Sequence, residues 1–532
     1  MNKVSEWWNN YKIHAPFTII IIVMLVLGTW LTVGWYQFQL NPDAASYFTI
    51  ADKYAHGDIR HAINGYWGPL LSWLLVPAVW LGANMIISAK LILLLASAAL
   101  MITLYRFLLG KGVSRLITNI TLFGLAGLFT TWSTAGPVTP DILMALLVVW
   151  FSLIFVRFLK TPTHSLALQL GAIGGVMYFA KGFGFFLFLG TVGIVAMWQW
   201  LREKQNFGTV FRRWLPAGII FFALTLPFIG VLTLKYDKPT INNAGLYDHH
   251  IYGPIGQAVS PMINNGPLQP PTDSAMSVWE DPTPMTHMVP GWTPFDNWDH
   301  MGYFWSSVIG RNLNNGWHAT YNLGPFVALG ISALVLGVMQ PRNRFRRELR
   351  FFAGISVLMI AGYSLVLIDG RYLWGSVAMA VAAGALMVSI WQQKKMINGP
   401  QILVGGILLV GITLLINGQY VVANRDLDKQ WYMANTALRP YIAKGSNIIS
   451  DDFSGSFFAC HHLKLRCFSI MNPPIENTDP YYKTLKDMKI EYFVDYHMRS
   501  TNKDMYRFVN KHFDKIAETN KAGIPITVYR IK

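Results

Sequence analysis

Charge is scarce in this 532-residue chain. Asp, Glu, Lys and Arg together make up 13% of it, against 53% hydrophobic residues. A surface so short of charge excludes the two or three water-soluble domains that the length alone would allow. Cysteine is scarcer still: Cys460 and Cys467 are the only two, too few for a disulfide framework. No internal repeat is visible, no Ser-His-Asp arrangement is legible, and no small-residue cleavage site follows the first apolar run.

Apolar runs near the ~20 residues needed to cross a hydrocarbon core are abundant. They predict spans at 16–36, 85–108, 115–134, 141–159, 165–180, 183–200, 214–234, 320–340, 351–368, 372–391 and 401–420. The chain therefore reads as a polytopic α-helical membrane protein with about eleven transmembrane helices. The apolar stretch 67–81 is broken by Pro69 and Pro77 and is expected to lie at the interface rather than to cross.

The net charge of +16 follows topology. Basic residues gather in short connectors: Arg106, Lys111 and Arg115; Arg157 and Lys160; Arg202, Lys204, Arg212 and Arg213; Arg342, Arg344, Arg346, Arg347 and Arg350; Lys394 and Lys395. They alternate with connectors that carry acids, which is the positive-inside pattern. The expected topology places the N-terminus in the cytoplasm and the C-terminus outside, and gives no reason to invoke nucleic acid. Residues 1–422 form the expected membrane domain, with a first external loop at 38–84 and a long one at 235–318. Residues 423–532 read as a small extracytoplasmic α/β domain. Its expected strands are 447–450, 465–470, 490–494 and 526–530, its expected helices 431–442 and 505–512. It has no glycine-rich phosphate loop.

Several chemistry-bearing residues fall on the external side of this topology. Asp43 follows the first span, and an acid at a membrane boundary is either a solvated helix-capping residue or a functional one. Asp141 follows Pro140 and opens a helix, where an acid also suits the dipole. Lys181 stands between two apolar runs and must snorkel outward or meet an anion. Arg371, next to Tyr372, can pair locally with Asp369 or present a fork to a phosphate. Two acids and two cations at one interface suit attack by a hydroxyl on a lipid-phosphate sugar. One carboxylate would take the proton, and the cations would meet the charge on the leaving phosphate.

In their order along the chain, Asp43, the 66–70 stretch Tyr66-Trp67-Gly68-Pro69-Leu70, Thr139-Pro140-Asp141, Ala180-Lys181-Gly182 and Arg371-Tyr372 resemble the motifs of GT-C membrane glycosyltransferases. The resemblance is to the dolichyl- and undecaprenyl-phosphate-sugar clan, which includes protein O-mannosyltransferases, the lipid A aminoarabinose transferase and related galacturonosyl and mannosyl transferases. It covers about residues 15–420 and implies a polyprenyl-phosphate sugar donor and a lipid, glycan or protein acceptor in the inner (plasma) membrane. It further implies inversion, Asp43 as the base, Asp141 as a second acid shaping the cavity, and Lys181, Arg371 and Tyr372 at the donor phosphate. Tyr66, Trp67, Asp58, Trp279 and Trp292 are candidate sugar or acceptor contacts, although interfacial Trp and Tyr also anchor at headgroups. Asp58 equally suits a solvated helix face.

Many relatives carry a second acid directly after the first, where this chain has Ala44, which leaves a divalent metal open. Asp248-His249-His250 and Glu280-Asp281 fit no established ligand spacing. Cys460 and Cys467 flank His461 and His462; a disulfide, a zinc site or buried thiols all suit them. The alternative reading of the whole chain is a transporter or a flippase for a lipid-linked sugar, which would put paired broken helices near the midplane.

Overall fold

The computed structural model describes residues 3–255, 267–340, 343–473, 478–497 and 503–532. Arg342 and part of the long loop lie outside the described residues. The chain forms two compact units, one made of Met1–Tyr36, Ala89–Val231 and Trp305–Arg425, the other of Gln37–Ser88, Leu232–Phe304 and Asp426–Lys532.

The first is a span unit of apolar helices. Every expected crossing falls on a helix: Lys3–Gly34, Met85–Gly110, Arg115–Thr134, Asp141–Lys160, His164–Ala180, Phe183–Leu201, Phe207–Tyr236, Pro325–Met339, Arg346–Ser364, Trp374–Gln393 and Gly399–Ala423. Among the described residues eight helices are each long and apolar enough to cross a membrane, or nine if one sharply bent pair counts as a single span. The others are short, such as the 17-residue His164–Ala180, or begin with charge, as Arg346–Ser364 does.

Small residues decide which helices lie inside. Trp374–Gln393 is rich in Ala and Gly and is the most buried span, with Asp141–Lys160 next. Close approach needs small side chains: a Cβ on Gly330 would come within 2.9 Å of the Val381 Cα. By contrast, Phe207–Tyr236 and Gly399–Ala423 leave most of their apolar surface uncovered, which only a lipid environment tolerates over so large an area. The two central helices are those that start at Asp141 and just after Arg371-Tyr372.

The second, mixed unit opens with the helix Pro42–Ala55, whose Pro at the start and Asp43 in the first turn suit a helix N-terminus. The expected interfacial element is the helix Leu70–Trp80, 11 residues long and so too short to span. The long loop carries short elements: the helix Ala244–Ile251, 3-10 turns at Val278–Glu280 and Thr283–Met288, and the helix Trp298–Tyr303.

The C-terminal region is a five-stranded sheet between two pairs of helices. Its strands are β1 (Asn447–Ser450), β2 (Arg466–Ile470), β3 (Tyr492–Asp495), β4 (Phe513–Lys521) and β5 (Ile524–Ile531), in the order β2-β1-β3-β5-β4. β1 is parallel to β2 and β3, while β5 is antiparallel to β3 and β4. Alternation along each strand sorts the two cores. Ile448, Cys467, Val494 and Val528 share one with Ala434, Leu438 and Ala459, whereas Ile449, Phe468 and Phe493 share the other with Leu485, Met505 and Phe508.

β4 was not expected because its sequence, FDKIAETNK, is mostly polar and exposed, as befits an edge strand. The helices Phe453–Leu463 and Thr478–Asp487 were missed as well. Cys460 and Cys467 form a disulfide with a Cα–Cα distance of 5.9 Å, which removes the zinc and free-thiol readings.

His461 and His462 end the helix Phe453–Leu463. Burial, reinforced by Lys464, pushes His461 down to about 4; burial, reinforced by His461 and Arg439, pushes His462 down to about 3. An unfolded histidine titrates near ~6.5, so between those limits the unfolded chain binds more protons than the folded one. The stabilisation is complete above pH ~6.5 and is lost as the pH falls below it. Thermal melts followed by hydrogen exchange of residues 453–470 are expected to drop by several degrees on going from pH 7 to pH 5. In His461→Gln/His462→Gln that pH dependence should largely vanish.

Candidate active site

In the span unit, Asp141 is the fixed point. It begins the helix Asp141–Lys160 with its carboxylate only 1% exposed. Oδ2 accepts from the Thr139 hydroxyl at 2.7 Å, and Oδ1 accepts from Lys181 Nζ at 2.5 Å. Arg371 Nε stands 3.5 Å from Oδ2 and 2.9 Å from Asp369 Oδ2. The ion pair with Asp369 and the approach to Asp141 thus coexist on one guanidinium.

Lys181 is held there by a tight turn between His164–Ala180 and Phe183–Leu201. A Cβ on Gly184 would come within 2.4 Å of the Met177 carbonyl carbon, so glycine at this position lets the hairpin close and directs Lys181 inward. Its ammonium lies 3.5 Å from the Tyr372 ring centroid, a cation–π contact. Tyr372 in turn lies against Tyr363, which stacks on Phe183. The 3-10 turn Gly370–Leu373, capped by the Asp369 carboxylate, sets Arg371 and Tyr372. Lys181 and Arg371 each keep 19% of the side chain exposed. Of the expected residues, this unit brings together Asp141, Lys181, Arg371 and Tyr372.

The mixed unit brings together Asp43, Tyr66, Trp67 and Trp279. Trp279 Nε1 donates to Asp43 Oδ1 at 3.4 Å. Tyr66, Trp67 and Trp279 meet edge to face with centroids 4.5–6.0 Å apart, and Tyr247 joins them. The Tyr66 hydroxyl donates to Asp248 at 3.3 Å. Trp292 sits apart from this group, stacked on His249 at 4.5 Å and bonded to its carbonyl. Asp58 serves a local turn, accepting from His61.

No cluster of three or more His, Cys, Asp or Glu among the described residues is arranged to hold a metal ion. Glu280 binds Lys53, and Asp281 binds Tyr236 and Lys235. Both carboxylates are thus engaged by cations or a hydroxyl.

No family model and no curated protein sequence matches the chain. Solved structures do. ArnT from Cupriavidus metallidurans in the apo state aligns over 97% of both chains with a TM-score of 0.56 and 11% identity. ArnT from the same organism bound to undecaprenyl phosphate aligns over 97% of this chain and 98% of that one, at TM-score 0.55 and 11% identity. The chain shares the fold of these ArnT structures.

Two features of this chain were not anticipated from the residues. Lys90, fully buried in Met85–Gly110, donates to the carbonyls of Thr134 and Gly136, the latter at 3.1 Å, and so caps the helix that leads to Thr139 and Asp141. Its signal was a lone cation inside an otherwise apolar run. Lys53 and Glu280 form an ion pair with side chains 5% and 4% exposed; nothing local announces a pair separated by 227 residues.

Removing one partner of a buried ion pair costs about 3–5 kcal/mol because the other charge is left stranded. Asp141→Asn or Lys181→Met alone is therefore expected to lower the unfolding free energy of the purified protein by a few kcal/mol. The double variant is expected to cost clearly less than the sum. Additive losses in a double-mutant cycle would show that the pair is not coupled.

Proposed function

We propose that the protein transfers a sugar from a polyprenyl-phosphate-linked donor to a hydroxyl of an extracytoplasmic lipid, glycan or protein, with inversion at the anomeric carbon. The observation that carries this reading is the convergence of Lys181 and Arg371 on Asp141, over the face of Tyr372. Two partly exposed cations at the end of apolar helices suit an anionic head on a long hydrocarbon chain. The GT-C fold, together with a solved relative that binds undecaprenyl phosphate, supports the same choice.

In the proposed reaction Asp43 accepts the proton of the acceptor hydroxyl. The freed oxygen forms a bond to the anomeric carbon as the bond from that carbon to the phosphate oxygen breaks. The electron pair leaves with the polyprenyl phosphate, where Lys181 and Arg371 stabilise the added charge. Asp141, already paired with both cations, holds them in place. Asp43 is only partly buried and in the first turn of its helix, which leaves it accessible for proton transfer. Trp279 donates to Asp43 and can orient it, while Tyr66 and Trp67 offer apolar surface beside it.

An inner-membrane location, with the N-terminus in the cytoplasm and the C-terminal domain outside, accords with the basic connectors. It also accords with the disulfide, since such bonds persist in oxidising compartments.

Asp43→Asn is expected to insert and fold normally and to lose transfer by about 100-fold or more, the scale of general-base catalysis. The measurement is product formation in proteoliposomes supplied with polyprenyl-phosphate sugar. Near-normal transfer would remove Asp43 from the mechanism. Lys181→Ala is expected to raise the donor KM severalfold, and an unchanged donor titration would remove its phosphate role. If lipid-linked sugar crossed the bilayer without forming a glycosyl product, the flippase reading would replace this one.

A further inference from the structure

β2 is one of the two outer strands of the sheet, yet its outer edge is occupied. The N–H groups of Cys467 and Ser469, two residues apart and facing the same side, donate to the carbonyls of Met276 and Leu268 at 2.7 and 3.0 Å. Leu268 N–H donates back to the Ser469 hydroxyl at 2.7 Å, Arg466 donates to the Thr272 carbonyl at 3.1 Å, and Ser277 forms a parallel bridge with Cys467. The long loop thus runs along the free edge, satisfying groups that an open strand would leave unpaired.

This seam ends two residues before Trp279. Met276 is held from both sides, its carbonyl by Cys467 and its N–H by Glu280 Oε2 at 3.1 Å. Its side chain packs on the core cluster that contains both half-cystines. Glu280 carries the buried pair with Lys53, and its carbonyl accepts from Asn64. The Trp279 carbonyl accepts from Ser46 and from the Trp67 indole, each at 3.3 Å. The indole of Trp279 is left to reach Asp43.

We propose that the Cys460–Cys467 disulfide, through the β2 edge, is a positioning element for Asp43: it holds residues 268–277 against the sheet and thereby sets the indole of Trp279 on the carboxylate. This rests on the reading of Asp43 as the base. The disulfide ties the edge strand to the helix beneath it, so the strand cannot shift without the helix. Both cysteines are fully buried. Their effect is on where the base points, and misplacing a catalytic group by an ångström is worth up to about 100-fold in rate.

The test uses the full-length protein in proteoliposomes. Cys460→Ala/Cys467→Ala is expected to speed amide exchange of residues 267–282 and to lower kcat about tenfold or more, with the donor KM unchanged. Trp279→Phe, which removes the indole donor and leaves the seam intact, is expected to lower kcat to a similar extent. Because both act through one contact, opening the disulfide in the Trp279→Phe background should cost little more. Should the cysteine variant fail to accumulate, Arg466→Ala loosens the same seam with the disulfide in place and is held to the same expectation. Multiplying losses, or faster exchange with kcat intact, would overturn the proposal, as would unchanged exchange. If Asp43→Asn transferred normally the underlying reading would fall; an inactive Asp43→Asn beside a fully active disulfide variant would remove the positioning role alone.

Discussion

A charge withdrawn from water must find its opposite, and each unit is arranged around that requirement. Desolvating a carboxylate costs several kcal/mol unless a well-placed cation and hydrogen bonds compensate. Asp141 meets it with Lys181, Arg371 and Thr139. Glu280 meets it with Lys53 and the Met276 amide, Asp281 with Lys235 and Tyr236. Each of these ion pairs joins segments far apart in the chain. Close packing of apolar helices brings surfaces together; the ion pairs decide which register those surfaces adopt. Lys90 does the same for the backbone by closing the end of Arg115–Thr134.

The parts of the fold that were legible in the sequence are those with a local physical signature. Apolar runs marked the helices because the length needed to cross hydrocarbon is fixed. Residue pattern marked four of the five strands. β4 escaped because an edge strand bearing Asp, Lys and Glu looks like a solvated turn. Within the site, Asp141, Lys181 and Arg371 stood out because a charge at the end of an apolar run is conspicuous. The pairing of Lys53 with Glu280 did not, since nothing local links residues 227 apart. Trp279 and Trp292 could not be told apart by residue type; only the folded loop assigns one to Asp43 and the other to His249.

Cysteine content illustrates a different limit. Two cysteines beside two histidines allow three chemistries, and residue type cannot choose among them. The folded chain decides by distance, and it also gives the histidines a reason to stay neutral. His461 and His462 lie in the aromatic surroundings of Tyr432, Phe458 and Phe48, where a proton would add a poorly solvated charge.

The charges around Asp141 cancel: two acids, Asp141 and Asp369, face two bases, Lys181 and Arg371. On the proposed reading, a phosphate arriving there does not fall into an empty positive well. It competes with a carboxylate for the same donors, and each contact it gains is one that Asp141 surrenders. The product phosphate is then displaced by the reverse exchange, with Asp141 waiting as a tethered rival. Such a site trades tight binding for rapid release, and its affinity for the spent carrier is set from within the chain.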